Sequence, residues 1–199
     1  MRSKKVILVL LSMIMITACS SPSDPAVSNN NAPVATTTPE EANGENPEEM
    51  RITPVDPWEV SEVGIGLVDV GMTVQEASQI LGVNLTDVDS AESCHYVKPE
   101  DGPAGISLMV IDGRIARVDV EDQAIPTSVG ARVGDSEDRI KMLYMNQVEV
   151  TSHKYTDGHY ITVVPANGSN RIVFETDGTK VTRYRAGRMP EVEWVEGCS

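Results

Sequence analysis

The sequence predicts an α+β fold made of two tandem repeats. Each repeat is a short helical segment followed by antiparallel strands, with the helices on one face of a shared antiparallel sheet. Three observations predict it: a helix-start pattern, a His-Tyr pair and an Asp-Gly hairpin each occur twice, in the same order, at offsets of 63 to 65 residues. A period of that length, carried by whole supersecondary units, is the mark of a repeat architecture.

The elements follow in chain order. Arg2, Lys4 and Lys5 open the chain and precede an apolar run from Val6 to Ile16 that only Ser12 interrupts. Such a run is too short to cross about 30 Å of hydrocarbon, so residues 1–18 read as an export signal rather than a membrane helix. Its end, Ile16-Thr17-Ala18-Cys19, resembles the lipobox of bacterial lipoproteins. That resemblance implies cleavage before Cys19 and acylation of Cys19 with diacylglycerol and palmitate. The result is a membrane anchor in which each buried methylene contributes about 0.8 kcal/mol. Ser20, where Asp would signal retention, resembles sorting to the outer membrane, facing the periplasm or the surface. An ordinary secretory signal with a chance cysteine at its end is the alternative.

Residues 19–56 read as a tether. Up to Met50 their only large apolar side chains are Val27 and Val34, too little to offset the cost of ordering the chain. About thirty such residues reach roughly 30 Å. From 57 to 199 the composition turns globular, enough for one domain with its own core. Loss of the leader leaves 13 basic against 30 acidic residues, a formal −17. That charge argues against nucleic acid and anionic lipid surfaces as partners. It is uneven: residues 63–129 carry −8 and residues 130–199 only −1.

The first repeat spans about 63–125 and the second about 126–190. Gly71-Met72-Thr73-Val74-Gln75-Glu76-Ala77 aligns with Gly134-Asp135-Ser136-Glu137-Asp138-Arg139-Ile140. Thr73 and Ser136 stand as N-caps, and Thr73 with Glu76 forms a capping box. Ile80 and Leu81, like Leu143 and Tyr144, are expected in the core. Cys94-His95-Tyr96 aligns with Gly158-His159-Tyr160. The hairpins follow: Ile106 to Val120 around Asp112-Gly113, and Arg171 to Ala186 around Asp177-Gly178. Asp-Gly between alternating runs signals a type I′ turn, which needs positive φ at both central residues. Strict alternation puts Ala116, Val118 and Val120, with Thr182, Tyr184 and Ala186, against the helices. It puts Ile115, Arg117 and Asp119, with Val181, Arg183 and Arg185, on an uncovered face.

With Cys19 lipidated, Cys94 and Cys198 remain as a pair in an oxidising compartment, so they are expected to form a disulfide. Closing a loop of about a hundred residues contributes roughly 4–5 kcal/mol in the chain-entropy model and staples the C-terminal tail to the domain.

The tandem helix-then-sheet plan, opening on Gly71-Met72-Thr73-x-x-Glu76-Ala77, resembles the beta-lactamase-inhibitor protein. It also resembles the small lipoproteins of the outer-membrane assembly machine, which use one such unit. The Gly66, Gly71-Met72-Thr73 opening and the Glu196-Gly197-Cys198 ending are similar to a family of uncharacterised secreted bacterial proteins. The likeness covers about residues 60–199 and implies binding through an open sheet face, without a catalytic residue to carry over.

No enzyme motif is present: no Gly-x-Ser-x-Gly elbow, no His-Glu-x-x-His, no phosphate-binding glycine loop. His153 and His159, with Asp157 between them, have a spacing that could hold zinc or copper, but two histidines and one carboxylate are a weak set. No metal, cofactor or catalytic activity is expected. Arg117, Arg183 and Arg185 are the candidate binding residues, able to grip carboxylates bidentately or to pair across strands with Glu175 and Asp119. The expected function is recognition of an envelope or secreted protein, as an assembly factor or hydrolase inhibitor. A receptor for a small anionic ligand or glycan is the alternative.

Overall fold

The structure, a computed structural model, describes residues 55–88, 93–166 and 168–198. The export signal, Cys19 and nearly all of the tether lie outside the described residues. An eight-stranded antiparallel sheet dominates. Its first four strands are β4 Leu85–Asp87, β5 Cys94–Pro99, β6 Ile106–Ile111 and β7 Arg114–Val120. The other four are β8 Val148–Ser152, β9 His159–Val163, β10 Asn170–Thr176 and β11 Val181–Arg188. They lie in the order β4-β5-β6-β7-β11-β10-β9-β8. A small sheet of β1 Val60–Ser61, β2 Gly64–Ile65 and β3 Val68–Asp69 precedes them. With α1 Val74–Leu81 and α2 Glu137–Tyr144, the class is α+β. Among the described residues no helix is long and apolar enough to cross a membrane.

Both helices start where the cap residues predict. The Thr73 hydroxyl accepts from the Glu76 backbone N–H while the Glu76 carboxylate accepts from the Thr73 N–H, closing the capping box. Ser136 accepts from the Arg139 N–H alone, because Arg139 stands where Glu76 stands in α1. The segment before each helix pairs with the start of a central strand. Gly71 N–H donates to Ile115 O and Ile115 N–H to Met72 O; Gly134 N–H donates to Val181 O and Val181 N–H to Asp135 O. Ala77 and Ile140 enter the same apolar cluster as Ile115, Val118, Val120, Phe174, Val181, Tyr184 and Ala186, so both helices cover one face of the large sheet. Phe174 sits 5.7 Å from the Tyr144 ring and 5.4 Å from the Tyr184 ring. Burial drives the Tyr144 hydroxyl up to about 12, against the lowering effect of its bond with Thr127.

Three expectations need correction. Ile80 is exposed, and Ala77, one turn earlier, takes the inward position. Ile115 and Val181 lie in the helix-side core rather than beside the arginines. The reason is a β-bulge in each hairpin. Ile115 opposes Val110 but Arg117 opposes Met109, leaving Ala116 as the extra residue. Val181 opposes Thr176 but Arg183 opposes Glu175, leaving Thr182 extra and exposed. The inserted residue shifts the alternation, so the apolar residue before each bulge and those after it share a face. Third, only the first hairpin turn has positive φ at both central residues, Asp112 at 50° and Gly113 at 75°. In the second only Gly178 is positive, at 91°, and the Asp177 carboxylate accepts from the Thr179 and Lys180 N–H groups instead.

Candidate functional site

Beyond the bulges, β7 and β11 lie side by side at the centre of the sheet and turn Arg117, Asp119, Arg183 and Arg185 to the face away from the helices. Arg185 opposes Asp119, and Gly187 opposes Arg117. A Cβ on Gly187 would lie 2.5 Å from Ala116 O, so glycine is what lets these strands close.

This face is not open, contrary to the expectation from alternation. After β11 the chain turns at Met189-Pro190, makes a 3-10 turn at Glu191–Glu193 and runs back over the sheet to Cys198, bonded to Cys94 on β5. This strap, residues 189–198, is held by main-chain carbonyls. Arg117 Nη1 donates to Glu191 O and Trp194 O, each at 2.8 Å, and Arg185 Nε donates to Val192 O. Arg117 and Arg185 are consequently 3% and 4% exposed, while the Arg183 side chain is 47% exposed. The disulfide carried the missed signal. With the order β5-β6-β7-β11, a tail leaving β11 can reach Cys94 only by crossing β7 and β6, a span of about three strand spacings of roughly 4.8 Å each.

Under the strap lies a polar cluster centred on Glu175, which is 2% exposed. It accepts from Arg183 Nε at 2.7 Å and from Arg185 Nη1, with His153 Nε2 at 3.4 Å. Burial alone would raise the Glu175 carboxyl, but the Arg185 charge and the bonds from both arginines hold it below the ordinary range. Asp119 goes the other way: burial raises it despite the salt bridge from Arg117 Nε at 2.8 Å. Each aromatic of the repeated His-Tyr pairs lies against a buried guanidinium, Arg117 at 6.0 Å from the Tyr96 ring centre and Arg185 at 5.8 Å from that of Tyr160. Burial, with the Asp119 charge, pushes Tyr96 up to about 12, against the Arg117 charge. The Tyr96 hydroxyl also accepts from Arg117 Nη2 at 2.6 Å.

The three histidines are tied to separate acids. His95 Nε2 lies 3.3 Å from Asp87, His153 Nε2 is on Glu175, and His159 Nδ1 lies 2.7 Å from Glu137. His153 and His159 therefore face different partners rather than a shared ion, and among the described residues no group of three His, Cys, Asp or Glu is arranged to hold a metal.

The strap does not cover the whole face. A pocket of about 290 Å³ lies between the sheet residues Tyr96, Lys98, Ser107, Asp119, Glu121 and Arg183 and the strap residues 195–197.

No protein-family model matches the sequence, and no curated protein matches it. Three chains among the solved structures match, among them the following two. The uncharacterized protein YfeY from Escherichia coli is 16% identical, with 65% of this chain and 99% of that one covered and a TM-score of 0.46. An extracellular protein containing an SCP domain from Bacillus anthracis is 9% identical, with 71% of this chain and 49% of that one covered and a TM-score of 0.46. No residue role is carried over from either.

Proposed function

We propose that the chain is an envelope lipoprotein, anchored through Cys19 after loss of residues 1–18 and set off from the membrane by the tether. Its domain, residues 57–199, acts as a non-catalytic binding module for another envelope or secreted protein. The observation that carries this reading is the unequal covering of the large sheet. One face is sealed by two helices, whereas the other is crossed by a single strap that leaves charged side chains at an open pocket. Trp194, on the strap and next in sequence to Val195 of the pocket wall, is 40% exposed and supplies the kind of large aromatic that anchors protein interfaces.

We further propose that the domain is a tandem repeat. The matched bulges at Ala116 and Thr182 support it, as do the matched helix-leader pairs at Ile115 and Val181 and the Tyr96–Arg117 and Tyr160–Arg185 contacts.

Photo-crosslinking from intact cells tests the partner reading. A photoreactive residue at position 194 is expected to capture one stoichiometric protein, while the same residue at position 67, exposed in the turn between β2 and β3, captures none. Equal capture from both positions, or none from 194, would place the working surface elsewhere.

A further inference from the structure

We infer that the pocket beneath the strap is a site for a small zwitterion of α-amino-acid type, its ammonium held by the Asp119 and Glu121 carboxylates and its carboxylate by Arg183 and Lys98.

The argument begins with the order of side chains on the sheet. Val97 opposite Leu108 brings Lys98 beside Ser107, and Ser107 opposes Asp119, so the three form a row across β5, β6 and β7. One step along, Arg183 on β11 is the diagonal neighbour of Asp119, because Arg185 is the residue directly opposite it. Diagonal neighbours lie about 7–8 Å apart, close enough for long side chains to meet around one small molecule. Both charge signs therefore line one wall at short range.

Several of these groups keep hydrogen-bonding capacity for a guest. Arg183 uses its Nε on Glu175, and among the described residues its two terminal amino groups have no partner. Asp119 uses Oδ2 on Arg117, and its side chain keeps 23% exposure. Lys98 and Glu121 are exposed at the mouth, and Ser107 stands between Lys98 and Asp119 in the row. Arg117 is different: its bonds to Asp119, Tyr96 and two strap carbonyls commit it to the protein.

This balance decides the ligand class. The lining holds Lys98, Arg117, Arg183 and Arg185 against Asp119, Glu121, Glu175 and Glu196. A simple anion attracted to Arg183 would sit against Asp119 and Glu121, and a simple cation would meet Arg183 and Lys98. A solute with both charges a few ångströms apart gains from both sets and opposes neither. Burial already raises the Asp119 carboxyl, so an arriving ammonium would stabilise its charged form. The volume, about 290 Å³, stands at the lower end of the roughly 300–1,000 Å³ typical of small-molecule sites, which suits an amino acid better than an oligosaccharide.

The test is calorimetric titration and thermal shift of the full-length oxidised protein. The panel holds individual free α-amino acids, their N-acetyl and carboxamide derivatives, inorganic phosphate and glucose, each up to millimolar concentration. At least one free amino acid is expected to bind saturably, with both blocked derivatives weaker by about tenfold or more, the scale of one lost charged hydrogen bond. Arg183→Gln is expected to weaken binding by a similar factor. Glu121→Gln, outside the Glu175 cluster, should do the same and keeps the test decisive if Arg183→Gln softens the fold. No binding by any amino acid, equal binding of a blocked derivative, or binding of phosphate or glucose instead would overturn the inference. It stands apart from the protein-partner reading: crosslinking at position 194 can fail while titration succeeds, and the reverse.

Discussion

The two faces of the large sheet are buried by opposite means. On the helix side Phe174, Val118 and Ala186 exclude water by apolar contact that needs no directional bond. On the strap side Glu175, Arg117 and Arg185 are almost as deeply buried, but each charge is matched by a counter-charge or a carbonyl. Phe174 and Glu175 are adjacent in sequence and point to opposite faces, so one step along β10 passes from an oily core to an ionic one. An apolar face tolerates imperfect neighbours, whereas an ionic face is stable only while every partner stays in place. The strap is the partner that completes it.

The largest expected effect falls on the strap side. Reducing the Cys94–Cys198 bond, which closes a separation of 104 residues, should lower stability by about 4–5 kcal/mol in the chain-entropy model. Denaturant unfolding with and without reductant measures it, and an unchanged midpoint would mean that the arginines hold the strap unaided.

Next come the adjacent residues. Phe174→Ala should cost about 3–5 kcal/mol through the cavity it leaves. Glu175→Ala should cost a similar amount, because it leaves Arg185 buried without its counter-charge. Acid should separate the two. The Glu175 carboxyl is held below its ordinary 4.5, so its contribution is present above that pH and is lost as pH falls beneath it. Asp119, raised from 3.8, acts in the opposite sense, costing stability above that value and relaxing as pH falls through the shifted range. Wild-type and Phe174→Ala proteins should share an acid limb of stability that Glu175→Gln flattens. A parallel limb in all three would place the acid sensitivity outside the Glu175 cluster.

The smallest effects compare two peripheral groups. Thr73→Ala, which removes the α1 cap on the helix side, should cost about 1 kcal/mol. Arg183→Ala on the strap side should cost about 1 kcal/mol or less, since the Arg183 end of the pair is half exposed and screened, and Glu175 keeps Arg185. A loss for Arg183 matching that for Glu175 would make it part of the buried cluster rather than of the pocket mouth.

The same contrast shows how much could be read beforehand. The caps at Thr73 and Ser136, both Asp-Gly hairpins and the cysteine pair were legible because each depends on a few neighbouring residues or on the count of cysteines. The bulges were not, since Ala116 and Thr182 are ordinary strand residues and the insertion exists only in the pairing of two strands. For the candidate site, alternation put Arg117, Arg183 and Arg185 on one face correctly, but periodicity says nothing of what lies over a face. The cover was implied by Cys198 bonding to Cys94 once the strand order is known, and strand order is a long-range property. Tyr96 and Tyr160 were visible as repeated residues, yet their place against the arginines needed that order too.

The central claim is that the strap covers Arg117 and Arg185 and leaves Arg183 open. Labelling the native oxidised protein with a guanidine-specific dicarbonyl reagent, read out residue by residue by mass spectrometry, tests it most directly. The expected result is rapid modification of Arg183, protection of Arg117 and Arg185, and loss of that protection once the disulfide is reduced. Modification of all three at one rate in the oxidised protein would mean an uncovered face and would contradict the account.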